Sequence, residues 1–256
     1  MPRNSVIAES SSNGLGRNLQ TQNYFEPDPY WANVVCLLTG EGANGGTTIT
    51  DVKGNALTIG GTLTTSTTQS RFGNGSLKFD AALNSYVQFT NAAMANQTLV
   101  IEAWMYSTAA MSGQILWDQR LAGGATANNL CYFAPSAVPG QCDVYDAGSH
   151  KLTSSVVPQL NTWFHIAFVR SIATSPNYTW KCYYNGSSVI GSATSFVPSP
   201  TSTKGSLCGF QGAGSSSTPP AGSFTGYVND FRITAGTDRG YTGSTILIPN
   251  APMPRS

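Results

Sequence analysis

The chain has 256 residues, and its 13 Lys and Arg against 12 Asp and Glu give a net charge of +1. Charged residues make up only 10%, against a usual quarter, and Ser, Thr, Asn, Gln and 27 Gly fill the deficit. The scattered basic residues carry no footprint for nucleic acid or an anionic membrane surface, and no apolar run reaches membrane-spanning length.

Residues 1–29 stand apart as an extended N-terminal arm. They are rich in Ser, Asn, Gln and Gly, and they close on Pro27-Asp28-Pro29, a stiff extended punctuation. Met1 to Asn23 hold no apolar core of the signal-peptide kind, so the expected route is synthesis in a cytosol and exit by other means, such as lysis. Val6-Ile7, Leu15, Leu19 and Tyr24-Phe25 are spaced as isolated anchors. That pattern suits an arm that gains order only against another subunit.

From Tyr30 onward the pattern is strand after strand. The expected strands are 31–38, 57–64, 76–80, 86–90, 99–106, 114–118, 130–133, 141–145, 163–170, 179–184, 188–193, 206–210 and 224–234. Ser76 to Asp80 and Tyr86 to Thr90 read as a pair. Leu99, Ile101, Ala103 and Met105 alternate with Val100, Glu102, Trp104 and Tyr106, giving one strand two faces. Trp163 to Arg170 is apolar on both faces, as an interior strand requires. Tyr184-Asn185-Gly186-Ser187 is the sharpest hairpin signal, because Asn-Gly supplies the two positive φ angles of a type I′ turn. No segment of ten or more residues keeps a helical stripe. The fold class is therefore all-β, a two-sheet antiparallel jelly-roll sandwich over residues 30–248, followed by a C-terminal tail at 249–256. Trp104, Trp163, Phe168 and Trp180 are expected in its interior. The five cysteines, Cys36, Cys131, Cys142, Cys182 and Cys208, sit in apolar runs and read as buried free thiols, with a Cys131–Cys142 bridge as the alternative.

Carboxylates are scarce, and catalytic pairs scarcer. Glu41 lies in a Gly-rich loop and Glu102 on a strand, so the two-carboxylate arrangement of a glycosidase has no candidate pair, and an enzyme is not expected. Asp143 and Asp146 are three apart on one strand and point to opposite faces. His165 reads as a structural histidine on a core strand, and His150 as a loop residue. Trp117 beside Asp118, with Tyr132 and Tyr145 on neighbouring strands, could form a sugar-stacking platform; core packing is the competing use of these rings.

Several stretches, in order, resemble the laminin G-like (LamG-like) branch of the concanavalin A-type jelly rolls. They are Asp28 to Leu38, Arg71 to Asp80 with Ser85-Tyr86-Val87, Thr98 to Tyr106, Asn161 to Ser171, Tyr178 to Gly186 and Gly222 to Thr234. The likeness is greatest to bacteriophage members. It implies the sandwich fold and, through the positions of Asp80 and Asp230, a candidate calcium site at the sandwich edge, with turn capping as the competing use of both residues; no cofactor is otherwise required. It also implies a non-catalytic virion protein, on a capsid head as decoration or in a tail appendage or tail fibre. Its partners would be further copies in a homo-oligomer, other virion proteins and, through adhesion, a host-surface glycan. A free carbohydrate-binding lectin module is the alternative, and a glycoside hydrolase or lyase a more distant one. Deleting residues 1–25 is expected to leave a folded domain of nearly unchanged melting temperature while abolishing assembly, read by light scattering and particle binding.

Overall fold

The computed structural model describes residues 27–73, 75–95, 97–119, 130–133, 140–146, 149–154, 156–174, 177–189, 202–210 and 221–256. Most of the arm, residues 1–26, lies outside the described residues. In chain order the strands are β1 (Val34–Leu38), β2 (Thr58–Gly60), β3 (Thr64–Ser66), β4 (Ser76–Phe79), β5 (Tyr86–Thr90) and β6 (Leu99–Ser107). Then follow β7 (Ile115–Asp118), β8 (Leu130–Phe133), β9 (Cys142–Asp146), β10 (Ser149–Thr153), β11 (Phe164–Thr174) and β12 (Asn177–Tyr184). The last are β13 (Ser187–Ser188), β14 (Lys204–Leu207), β15 (Gly209–Phe210), β16 (Ala221–Gly222) and β17 (Gly226–Ala235).

Two antiparallel sheets face each other. The eight-stranded sheet runs β13-β12-β11-β6-β17-β4-β3, with β1 also paired to β17, and the seven-stranded sheet runs β10-β9-β8-β7-β14-β5-β2. Between them lies one apolar cluster. The eight-stranded sheet contributes Leu99, Ile101, Ala103 and Met105 from β6 and Phe164, Ile166 and Phe168 from β11. The seven-stranded sheet answers with Val87, Phe89, Leu116, Trp117, Cys131, Phe133, Cys142, Val144 and Leu207. The period-two alternation of β6 is thus a division between core and outer face. Chain reversal after β12 follows the Asn-Gly rule: Asn185 (φ 46°) and Gly186 (φ 82°) form the turn, and Tyr184 pairs with Ser187.

The structure corrects three expectations of local order. The segment 57–64 is not one strand: β2 belongs to the seven-stranded sheet and β3 to the eight-stranded one. The chain crosses at Gly61, φ 60°, where a Cβ would sit 2.0 Å from the Leu83 carbonyl oxygen. β4 and β5 are likewise not a hairpin but belong to opposite sheets. Between them Asp80 caps a 3-10 turn (Ala81–Leu83), accepting the Ala82 amide at 2.9 Å, and Asn84 in the left-handed region redirects the chain. Trp163 is only half-buried, against Tyr106 on the outer face, whereas Trp104, Phe168 and Trp180 are buried. All five cysteines are free and buried. Cys131 stands opposite Val144 and Cys142 opposite Phe133, so the two thiols are not bridged.

The outer face of the eight-stranded sheet carries a buried ionic cluster. Arg232 on β17 donates to Glu102 Oε1 on β6 at 2.9 and 2.7 Å, and to Asp28 Oδ2 at 2.9 Å. Arg239 donates to Asp28 Oδ1 at 2.8 Å, and the Tyr241 hydroxyl to Glu102 Oε2 at 3.2 Å. His165 is not in the inter-sheet core: it lies on this outer face, with Nε2 3.3 Å from Glu102 Oε2 and its ring edge-on to Trp104. Burial alone would push the Glu102 carboxyl up, but Arg232, with His165 and Arg239, overrides it and holds the group well below the usual carboxylate range.

The C-terminal residues join the same body. The Asp28 amide donates to the Ser256 carbonyl at 2.8 Å, and Met253 is buried against Val34 and Leu37 with Trp31 beside it. Asp230, φ 51°, sits in a β17 irregularity between Asn229 and Arg232, and its Oδ2 accepts the Met253 amide at 2.8 Å. Burial pushes its carboxyl up to about 7, against the opposing pull of that amide, Arg232 and Arg255.

Two predictions follow from these charges. Glu102→Gln strips Arg232 and Arg239 of a buried counter-charge and is expected to lower stability by about 3–5 kcal/mol in denaturant unfolding. For Asp230 the folded state holds a proton that the unfolded state releases near pH 4. Its stabilising contribution is full below that pH and is lost as pH rises through about 7. Glu102, held low, stays ionised across that window. Asp230→Asn, which tolerates the same φ, is expected to flatten the fall in melting temperature between pH 5 and 8 relative to the parent chain; equal slopes in both proteins would refute the assignment.

Candidate functional site

The outer face of the seven-stranded sheet is the polar one. Register places Gln88 (β5), Ser206 (β14) and Asp118 (β7) side by side across three strands, and Asp118 opposite Leu130 (β8), which faces Tyr145 (β9). A second row joins Ile115 (β7), Tyr132 (β8) and Asp143 (β9). Gln88 Nε2 donates to Ser206 Oγ at 3.3 Å. Gln88, Ser206, Asp118 and Asp143 are buried, Tyr145 is half-buried and His150 is exposed, so the face opens toward β9 and β10.

At that open end four side chains meet. His150 on β10 stands opposite Tyr145, and its Nδ1 makes a short contact with Asp143 Oδ2. The Tyr132 hydroxyl lies 3.3 Å from the same nitrogen. The Tyr132 and His150 rings are nearly parallel, 6.5 Å apart at 19°, while Tyr145 stands edge-on to both at 6.4 and 5.4 Å. Burial pushes the Asp143 carboxyl above the ordinary range, outweighing the hydrogen bonds from His150 and Tyr132 that pull it down. Chemically, the corner offers two aromatic rings, one carboxyl group and one accessible imidazole, which suits a polyhydroxylated ring with an apolar face.

Of the residues expected at a sugar platform, Asp118, Tyr132 and Tyr145 share this face, and Trp117 does not. β7 breaks register between Ile115 and Trp117, so Leu116 and Trp117 both turn into the core. The irregularity inverts the alternation: without it Trp117 would point outward and Asp118 inward. Trp117 packs on Phe89 and Phe231 at 5.3 and 5.6 Å, and Gly205 makes room for it, since a Cβ there would lie 2.0 Å from the indole. Asp143 and His150 were the residues missed. Their partnership depends on a β9–β10 hairpin, in which the segment read as a loop is a strand.

Asp80 and Asp230, the candidates for calcium or for turn capping, each hold a backbone amide. Asp80 caps its turn, and Asp230 is buried with the Met253 amide on Oδ2 and the Asn229 side-chain amide, at 3.2 Å, on Oδ1. Among the described residues no group of three or more His, Cys, Asp or Glu is arranged to hold a metal ion. Glu41 and Glu102 are not paired with each other: Glu41 contacts Arg255, and Glu102 belongs to the Arg232 cluster. On the far side of the sandwich, a pocket of about 380 Å³ is walled by Pro27, Pro249, Pro252 and Pro254. Its charged floor, Asp28, Arg232 and Arg239, is already paired internally.

Residues 80–237, more than half of the chain, match the concanavalin A-like lectin/glucanases superfamily. Domain 4 of a GH43 extracellular arabinanase from Geobacillus stearothermophilus, solved with arabinotriose, superposes with a TM-score of 0.56 at 15% identity, covering 80% of this chain and 93% of that one. A botulinum neurotoxin type C structure, described as depending on two ganglioside molecules for cell entry, gives 0.54 at 10% identity. The binding domain of botulinum neurotoxin DC, in complex with SialylT, gives 0.52 at 10%. Each toxin alignment covers 80% of this chain and 48% of the toxin chain, so the present chain spans about half their length. No curated protein sequence matches. The sheet order, the shared core and the matched residues agree: this chain belongs to the concanavalin A-like lectin/glucanases superfamily.

Proposed function

We propose that the chain is a non-catalytic glycan-binding module whose sugar site is the open corner formed by Tyr132, Tyr145, Asp143 and His150. The observation that carries this reading is the meeting of aromatic rings with a carboxyl–imidazole pair at the accessible end of an otherwise closed polar sheet face. Structures of the same fold solved with arabinotriose or SialylT support the class of ligand.

The carboxylates support binding without hydrolysis. On this face Asp118 and Asp143 lie on β7 and β9, with β8 between them and a two-residue offset in register. Strand spacing and rise place their backbones about 12 Å apart. A glycosidase needs two carboxyl groups facing the scissile bond, whereas Asp118 and Asp143 are both buried. Incorporation into a bacteriophage particle, as head decoration or tail appendage, is the finer proposal, and it rests on the sequence resemblance and the arm.

Glycan-array screening followed by calorimetry tests the reading. Tyr145→Ala is expected to weaken sugar binding roughly tenfold or more, about 1.4 kcal/mol, with little change in melting temperature. Reducing-end assays should detect no released sugar. Unchanged affinity in that variant would move the site elsewhere, and sugar release would make the chain an enzyme.

A further inference from the structure

The Asp143 carboxyl group has an unused acceptor. Oδ2 is taken by His150, but Oδ1 is buried with no hydrogen-bond partner. The side chain is 1% exposed, whereas the imidazole lying against it is 49% exposed. A buried acceptor left unpaired costs about 1–3 kcal/mol, and more when it is charged. The half-exposed His150 ring lies against the same carboxyl group through Oδ2.

Among the described side chains, the surroundings are short of positive charge. Of those side chains, the titratable ones at this end of the face are Asp118 from β7, Tyr132 from β8, Tyr145 and Asp143 from β9 and His150 from β10. Lys204, the one lysine among the described side chains of the face, stands on β14, three strands from β9, or about 14 Å by strand spacing. Among the described side chains, the Asp143 carboxyl group and two tyrosine rings thus meet with no fixed cation beside them. That environment favours a positively charged group twice over, through a charge-assisted hydrogen bond to Asp143 and through the ring faces. A neutral hydroxyl gains only the weaker form of the first.

We infer that the site selects a cationic amino sugar, whose ammonium displaces the His150 imidazole and donates to Asp143 while its ring packs against Tyr145. This rests on the glycan-binding reading above and narrows it to a ligand class. His150 then acts as a plug that competes with the ligand, and not as a ligand contact. Burial pushes the Asp143 carboxyl up, and His150 offsets that only in part.

Calorimetric titration with fully deacetylated chitotetraose and with its N-acetylated counterpart separates the possibilities. The intact chain should bind the deacetylated oligomer at least tenfold tighter near pH 7. That preference should shrink as pH falls and Asp143, whose carboxyl group burial pushes up, takes up a proton while the sugar amine stays charged. Asp143→Asn should erase the preference, and His150→Ala, at an exposed position, should tighten binding of the deacetylated oligomer. Equal affinity for the two oligomers, a preference that survives Asp143→Asn, or weaker binding in His150→Ala would each overturn the inference. Binding of neutral sugars that depends on Tyr145, without preference for the amine, would defeat this inference and leave the lectin reading standing. Absence of binding to any sugar would remove both.

Discussion

The pairing of Arg232 with Glu102 and Asp28 is the constraint on which the rest of the architecture depends. β17 is the hub of its sheet: β6 flanks one side, and β4 and β1 share the other. An irregularity between Asn229 and Arg232 divides the strand, with Asp230 in the left-handed region. It lets Gly226 to Val228 pair with β4 and Phe231 to Thr234 pair with β1. It also sets the residue at which a guanidinium enters the outer face. Once Arg232 is desolvated, burial requires counter-charges, and two of them come from distant parts of the chain, Asp28 near the start and Glu102 on β6. The entry segment and the C-terminal segment are held by the same demand: Asp28 also binds Arg239 and the Ser256 carbonyl, and the Asp230 side chain holds Met253. Such a cluster specifies where segments go more than it adds stability, because the Coulombic gain is largely offset by desolvation.

The fold was legible where local chemistry and global packing agree. The Asn185-Gly186 turn needs only its own two φ angles. The alternation in β6 needs only a period of two, and both faces emerged as expected because no bulge interrupts its pairing with β11. Legibility fails where a residue's direction depends on a distant partner. Trp117 and Asp118 are adjacent in an apolar run, and nothing local says that β7 skips a register between Ile115 and Trp117. Strands that are neighbours in sequence, such as β4 and β5, suggest a hairpin by default. Only the competition of β17 for β4 and of β14 for β5 sends them to opposite sheets.

The candidate site has the same history. Tyr132 and Tyr145 could be proposed from the spacing of strands, and Asp118 came with them. Asp143 and His150 could not, because their contact exists only if residues 149–153 pair with β9. Sequence proximity, three residues apart, drew attention to Asp143 and Asp146. Cross-strand proximity is what matters on a sheet face, and it joins Asp143 to Tyr132 and His150 instead.

The scarcity of charge, which at first says only what the protein avoids, acquires a positive meaning once the contacts are assigned. Of the 12 acidic residues, Asp28, Glu102 and Asp230 are consumed by the outer cluster and the C-terminal segment. Asp51 is consumed by the Leu37, Lys53 and Asn55 amides, and Asp80 by its own turn. Charges spent in this way hold backbone segments and project little field into solvent. The remaining surface is rich in hydroxyl and amide groups, which compete poorly with water for ions but match the donors and acceptors of a sugar. Against so quiet a background, a single under-compensated carboxyl group beside two aromatic rings dominates its neighbourhood. On the amino-sugar reading, selectivity at this sheet face rests on Asp143 alone, without the long-range steering that a more charged protein would use.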